Sequence, residues 1–92
     1  MLSDIPKNLE KVGKENLDKE ILRIGMIAEL DAVSLYEQMA VMTLDKHIKE
    51  ILLDIAKEEK THVGEFQALL LERDREQTKE LEKGKKEVDE MK

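Results

Sequence analysis

The sequence predicts an all-α protein: an antiparallel two-helix hairpin, which is half of a four-helix bundle, plus a C-terminal helix, with the bundle completed by dimerisation. Three observations predict this fold class. The only proline in the 92 residues is Pro6, so nothing after it breaks a helix outright. Apolar residues recur at helical spacing along two long segments, about 18–42 and about 46–72. The link between these segments is so short that the two helices must fold back on each other.

The beginning of the chain is interpreted as a leader. Residues 1–17 form this N-terminal segment, and residues 18–92 form the helical domain. Asp18 is expected to be the N-cap of the first helix, because a side-chain carboxylate at that position accepts hydrogen bonds from unpaired backbone N–H groups. The helix is then expected to continue to about Met42.

The second and third helices follow with little connecting chain. Thr43 or Asp45 is expected to cap the second helix, which runs to about Glu72. The third helix is expected over about 75–91, and its sizeable apolar residues are few: Leu81, Val88 and Met91. Such a thin apolar stripe makes this helix marginal by itself and favours packing against a neighbour.

The composition excludes several classes of function. The chain has no cysteine, which excludes disulfides, thiolate chemistry, iron–sulfur clusters and Cys-type zinc sites. Its net charge of −6, with both signs interleaved, argues against a nucleic-acid partner. No apolar run approaches the roughly 20 residues that span a bilayer, so we expect no membrane partner. A domain this small needs a metal or a partner subunit to support its core.

Ionisable side chains interrupt both apolar stripes at their centres. On the first helix, Glu29 lies midway between Leu22 and Tyr36, at intervals that place all three on one face. On the second helix, Glu59 and His62 form a Glu-x-x-His unit within the stripe, about one turn apart on the same face. Glutamate is almost never buried unless it is paired or bound to metal.

Two interpretations of these residues compete. Each Glu could lie at the edge of its stripe and reach solvent, and the His could be a hydrogen-bonded core residue. The combination instead favours a metal centre, since di-iron four-helix bundles use a Glu from each of two helices and a Glu-x-x-His from each of the other two. One chain supplies half of that set, Glu29, Glu59 and His62. Two chains related by a two-fold axis are therefore expected to share two metal ions, which these donors indicate are iron or manganese, with Glu59 as the bridging carboxylate.

Other residues near the stripes are weaker candidates. Tyr36 either packs in the core with its hydroxyl hydrogen-bonded or lies next to the metal without binding it, and both interpretations stay open. Glu65 could be an additional ligand, although an exposed position is favoured. Asp31 could line an access route to the site, and His47 is expected to be exposed in the turn. Gly64, in mid-helix, suggests the close approach of another helix, which could belong to another subunit of the oligomer.

Two segments carry a resemblance to a known family. The stretches AELDAVSLYEQMA and ILLDIAKEEKTHVGEFQALLL resemble the encapsulated ferritins, above all the archaeal ferritin-like domains associated with, or fused to, encapsulin shell proteins. The resemblance covers about residues 18–91. It implies that Glu29 and Glu59 are iron-binding glutamates, that His62 is an iron-binding histidine, and that Tyr36 lies close to the centre.

The resemblance also implies an activity and an assembly. The expected enzyme is a ferroxidase that oxidises Fe(II) at a di-iron centre, with two iron ions per dimer. Its dimers are expected to form a ring, commonly a decamer, in the cytoplasm inside an encapsulin nanocompartment, where the oxidised iron is mineralised and stored. The alternatives are a non-catalytic iron or manganese carrier and a metal-free helical module that binds a protein partner.

The C-terminal residues depart from the family pattern. Free-standing members often carry a C-terminal peptide that docks onto the shell, whereas this chain ends in KKEVDEMK. We expect either that the chain is the ferritin-like part of a longer fusion or that it docks onto the shell in another way.

Overall fold

A computed structural model describes residues 13–92, except for the side chain of Glu15, and this part of the chain is helical throughout apart from short links. It consists of α1 (Lys14–Met42), α2 (Lys46–Arg73) and α3 (Arg75–Glu90). Helices α1 and α2 pack against each other, and α3 contacts α2. The predicted all-α fold class is confirmed. No helix among the described residues is long and apolar enough to cross a membrane.

The first helix begins earlier than the sequence predicts. Gly13 is its N-cap, and the first turn closes through a 2.9 Å hydrogen bond that the Asn16 N–H donates to the Gly13 carbonyl. Asp18 therefore lies inside α1, and its prediction as the N-cap is wrong, because no helix breaker separates it from Lys14. Residues 1–12 of the predicted leader lie outside the described residues, so the boundary between leader and helical domain stays a prediction.

The link between α1 and α2 consists of residues 43–45. Asp45 caps α2, since its side chain accepts a 2.9 Å hydrogen bond from the Ile48 N–H. Thr43 supports the turn, because its hydroxyl accepts a 3.2 Å hydrogen bond from the Asp45 N–H. Of the two predicted caps, Asp45 is therefore the correct one. The short link makes α1 and α2 antiparallel.

The single chain has a thin core. Within residues 13–92, the buried apolar side chains are Leu22, Val33, Ala40, Ala56 and Leu70. Several large apolar side chains stay exposed around the link, namely Val41, Met42, Leu44, Ile48 and Ile51. This distribution is typical of half of a bundle, because a lone hairpin leaves apolar surface for a partner to cover.

Asp74 fixes the start of α3. It is buried, and its Oδ1 atom caps the helix by accepting a 3.0 Å hydrogen bond from the Gln77 N–H. Its Oδ2 atom accepts a 2.9 Å hydrogen bond from Arg23 of α1, and Arg23 also donates to Glu20 at 2.9 Å. The Gln77 hydrogen bond, together with the positive charges of Lys19 and Arg23, lowers the pKa of the Asp74 carboxyl below its ordinary value of 3.8, although burial alone would raise it.

Replacing Asp74 by alanine should destabilise the fold more than replacing Asp45. Both Asp→Ala substitutions remove an N-cap, but only Asp74→Ala also removes a hydrogen-bonded ion pair, the one that Arg23 of α1 makes with Asp74. Because the folded-state pKa of Asp74 is lowered, its stabilisation is present above the ordinary pKa and is lost as the pH falls through the lowered value. Thermal unfolding should show the larger drop in Tm for Asp74→Ala at neutral pH, shrinking in acid. Equal drops for the two variants would contradict this role.

Candidate metal centre

The hairpin brings the three predicted ligands together. Glu29 lies in the middle of α1, and Glu59 and His62 lie one turn apart on α2. The Nδ1 atom of His62 is 3.4 Å from Oε2 of Glu29 and 3.4 Å from Oε2 of Glu59. One potential ligand atom from each residue lies within 4.8 Å of the other two. Residues 13–92 contain no second group of three metal-binding side chains with this spacing.

The two carboxylates are more enclosed than the imidazole. The side chains of Glu29 and Glu59 are each 20% exposed, whereas that of His62 is 42% exposed. The Oε2 atom of Glu29 is buried and accepts no hydrogen bond. The His62 Nδ1 atom, at 3.4 Å, is farther from it than the roughly 2.7–2.9 Å typical of a charge-assisted hydrogen bond. A buried carboxylate oxygen without a donor is costly, and a bound cation would satisfy it.

The donor set fits an iron ion. Two carboxylates and one imidazole are oxygen and nitrogen donors of the kind that suit Fe(II) and Mn(II), and the chain has no thiolate to compete with them. Two ionised carboxylates also balance the charge of one divalent cation. Three protein ligands do not complete an octahedral shell, so positions remain for a second chain, water or an oxidant. The assignment of these residues as metal ligands stays a prediction.

The other predicted residues lie outside this group of three. Tyr36 is half-buried on α1, one heptad after Glu29, and its role beside a metal stays a prediction. Asp31 is buried and already interacts with another group. Glu65 and His47 are both exposed, as expected, but His47 lies in the first turn of α2 and not in the link, because the Asp45 cap starts the helix before it.

A close contact between the helices lies one turn from the ligands, and the sequence pattern did not reveal it. A Cβ atom at Gly25 of α1 would be 2.9 Å from Cδ1 and Cε1 of Phe66 in α2. A Cβ atom at Gly64, where close helix approach was expected, would meet nothing within 4 Å among the described residues. Within the chain, the close helix approach is therefore at Gly25, and an approach to Gly64 by a helix of another subunit stays a prediction. The sequence feature that could have indicated this contact is the position of Gly25 on the apolar stripe of α1, one turn before Glu29.

Known proteins with similar sequences and structures agree with this architecture. Residues 4–88 match the family model described as EncFtn-like. A Pyrococcus furiosus protein named ferritin-like-encapsulin shell fusion protein is 59% identical over 78 residues, or 85% of this chain. The chain spans only 22% of the length of that relative. This chain also matches the crystal structure of an encapsulated ferritin domain from Pyrococcus furiosus, with a TM-score of 0.83 and 52% sequence identity. The match covers 98% of this chain and 94% of that chain.

Proposed function

This chain belongs to the EncFtn-like family, and on that premise we propose that it is a ferroxidase, which oxidises Fe(II) to Fe(III) at a di-iron centre shared between two subunits. The proposed ligands are Glu29, Glu59 and His62. The observation that carries the proposal is the buried Oε2 atom of Glu29, which accepts no hydrogen bond although it lies within the group of three ligand side chains. This arrangement is costly without a cation and favourable with one.

Each chain contributes half of the proposed centre. Two chains supply four carboxylates and two imidazoles, and the four negative charges balance those of two Fe(II) ions. A carboxylate that bridges two ions keeps them close enough to react with one molecule of oxidant. We assign this bridging role to Glu59, because it is paired with His62 on the same face of α2.

The carboxylates favour the oxidised state of the iron, which is the substrate. They stabilise Fe(III) more than Fe(II), because Coulomb attraction grows with the charge of the cation and is stronger where solvent is largely excluded. Two Fe(II) ions release one electron each. Either O₂ accepts both electrons with two protons and becomes hydrogen peroxide, or hydrogen peroxide accepts them with two protons and becomes water. Tyr36 is proposed to lie beside the centre and to influence the reaction without binding iron.

The proposed location of the reaction, inside an encapsulin shell, is based on the relative that is named as a fusion of a ferritin-like protein and an encapsulin shell. We extend that association to this chain: its dimers assemble into a ring, such as a decamer, inside a cytoplasmic encapsulin nanocompartment. The oxidised iron is mineralised and stored there. A small helical assembly without a storage cavity of its own needs such a space for its insoluble product.

Fe(II) oxidation and iron content test the proposed function. The full chain should oxidise Fe(II) faster than buffer alone, as followed by the absorbance of Fe(III). It should also retain two iron ions per dimer after gel filtration. Retained iron with oxidation at the buffer rate would favour a non-catalytic carrier. Failure to bind any divalent ion would favour a metal-free interaction module.

A further inference from the structure

Gly25 and Phe66 approach more closely than any side chain at position 25 would allow. A Cβ atom there would lie 2.9 Å from Cδ1 and Cε1 of the ring and 3.0 Å from Cζ. Non-bonded carbon atoms have their optimal separation at about 3.5–4.0 Å, so the ring of Phe66 lies on the bare backbone of α1. Since protein interiors are close-packed, a single added methyl group must displace either the ring or the helices.

This contact lies in the layer of the hairpin next to the proposed ligands. Gly25 precedes Glu29 by one turn of α1, and Phe66 follows His62 by one turn of α2. Because the two helices are antiparallel, the pair of Gly25 and Phe66 lies beside the pair of Glu29 and His62. A regular helix moves as a unit over one turn, so a change in helix separation at the first pair is carried to the second.

The other glycines within the helices have no comparable neighbour in residues 13–92. In that part of the chain, a Cβ atom at Gly64 or Gly84 would meet nothing within 4 Å. Glycine lowers the stability of a helix relative to alanine, so a glycine inside a helix needs a packing reason to be favourable. Gly25 has such a reason. Gly84 lies in α3, outside the hairpin, and is therefore a matched control for the same substitution.

We propose that Gly25 and Phe66 are positioning residues for the metal centre. Their contact sets the separation of α1 and α2 at which Glu29 reaches the same ion as Glu59 and His62. This inference rests on the proposed function and adds the packing element that tunes the metal affinity of the site. In the proposed dimer, the contact is present once in each chain and supports both halves of the centre.

Titration with Co(II) tests this inference without measuring oxidation. Co(II) accepts the same kinds of ligand as Fe(II), and its visible absorption reports the coordination geometry. The unsubstituted 92-residue chain is compared with Gly25→Ala, Phe66→Leu, the double variant and Gly84→Ala. Gly25→Ala should weaken Co(II) binding by about tenfold or more and change the absorption, as substitutions of residues that support ligands do. Gly84→Ala should bind Co(II) as the wild type does.

The double variant is the decisive comparison. The two substitutions exchange volume between the facing helices, so Gly25→Ala with Phe66→Leu should recover most of the Co(II) affinity and the wild-type spectrum. A merely structural role would lower the Tm of Gly25→Ala and leave its Co(II) affinity and spectrum unchanged, and that result would overturn the inference. Should Gly25→Ala not fold, Phe66→Leu alone decides, because unchanged Co(II) binding with this shorter side chain would also overturn it.

Failure of the proposed function would give a different pattern. The assigned ligands would be wrong if the wild-type protein did not bind Co(II). They would also be wrong if His62→Ala bound Co(II) as tightly as the wild type does. Binding through the assigned ligands that is equally strong in Gly25→Ala would overturn the positioning role alone.

Discussion

Replacing Glu29, Glu59 or His62 by alanine is expected to remove most of the acceleration of Fe(II) oxidation over buffer. In the proposed dimer both chains carry the substitution, so the shared centre loses two of its six protein ligands. The loss should exceed the roughly 10–100-fold reductions that follow from replacing residues that only support ligands. Initial rates of Fe(III) formation, measured at equal protein and Fe(II) concentrations, provide the comparison.

Two further variants control this experiment. Glu58→Ala removes a carboxylate adjacent in sequence to Glu59, but Glu58 is exposed and lies outside the group of three, so the rate should stay at the wild-type level. Tyr36→Phe should reduce the rate moderately, because the hydroxyl is proposed to lie near the centre without binding iron. A wild-type rate in His62→Ala would show that the imidazole is not a ligand.

Addition of Fe(II) is expected to shift the chain from monomers toward dimers and larger assemblies, and a chelator is expected to reverse the shift. A metal that binds the dimer better than the monomer must stabilise the dimer by mass action. Without metal, the proposed interface would bring four carboxylates together, and their repulsion would disfavour pairing. Mn(II) and Co(II) should act similarly, since they accept the same donors. Sizing chromatography with light scattering measures the change in mass.

His62→Ala is the most informative variant in this test, because it removes a ligand and leaves every carboxylate in place. Glu29→Ala and Glu59→Ala would also relieve repulsion in the metal-free dimer, so the quantity to compare is the metal-induced change in mass. That change should vanish in His62→Ala. A monomer that binds two iron ions by itself, with a mass that does not respond to metal, would contradict the shared centre.

The sequence by itself determined the helices and the choice of candidate ligands, because both depend on periodicity. A repeating apolar stripe defines one face of a helix, and Glu29, Glu59 and His62 stand out as ionisable residues at its centre. The tight link and its Asp45 cap are also local features. The start of α1 shows the limit of local signals: Asp18 has the chemistry of an N-cap, yet the residues before it continue the helix.

Only the tertiary structure decided how the faces of different helices meet. The hydrogen bond from Arg23 to Asp74 and the contact of Gly25 with Phe66 each join residues that are distant in sequence. The burial of Glu29 Oε2 without a hydrogen-bond donor is likewise a property of both helices together. Periodicity identifies the residues on a face, whereas the distance between two faces depends on which side chains interdigitate there and in what register. That distance arises from close packing of both helices at once, so neither helix encodes it alone.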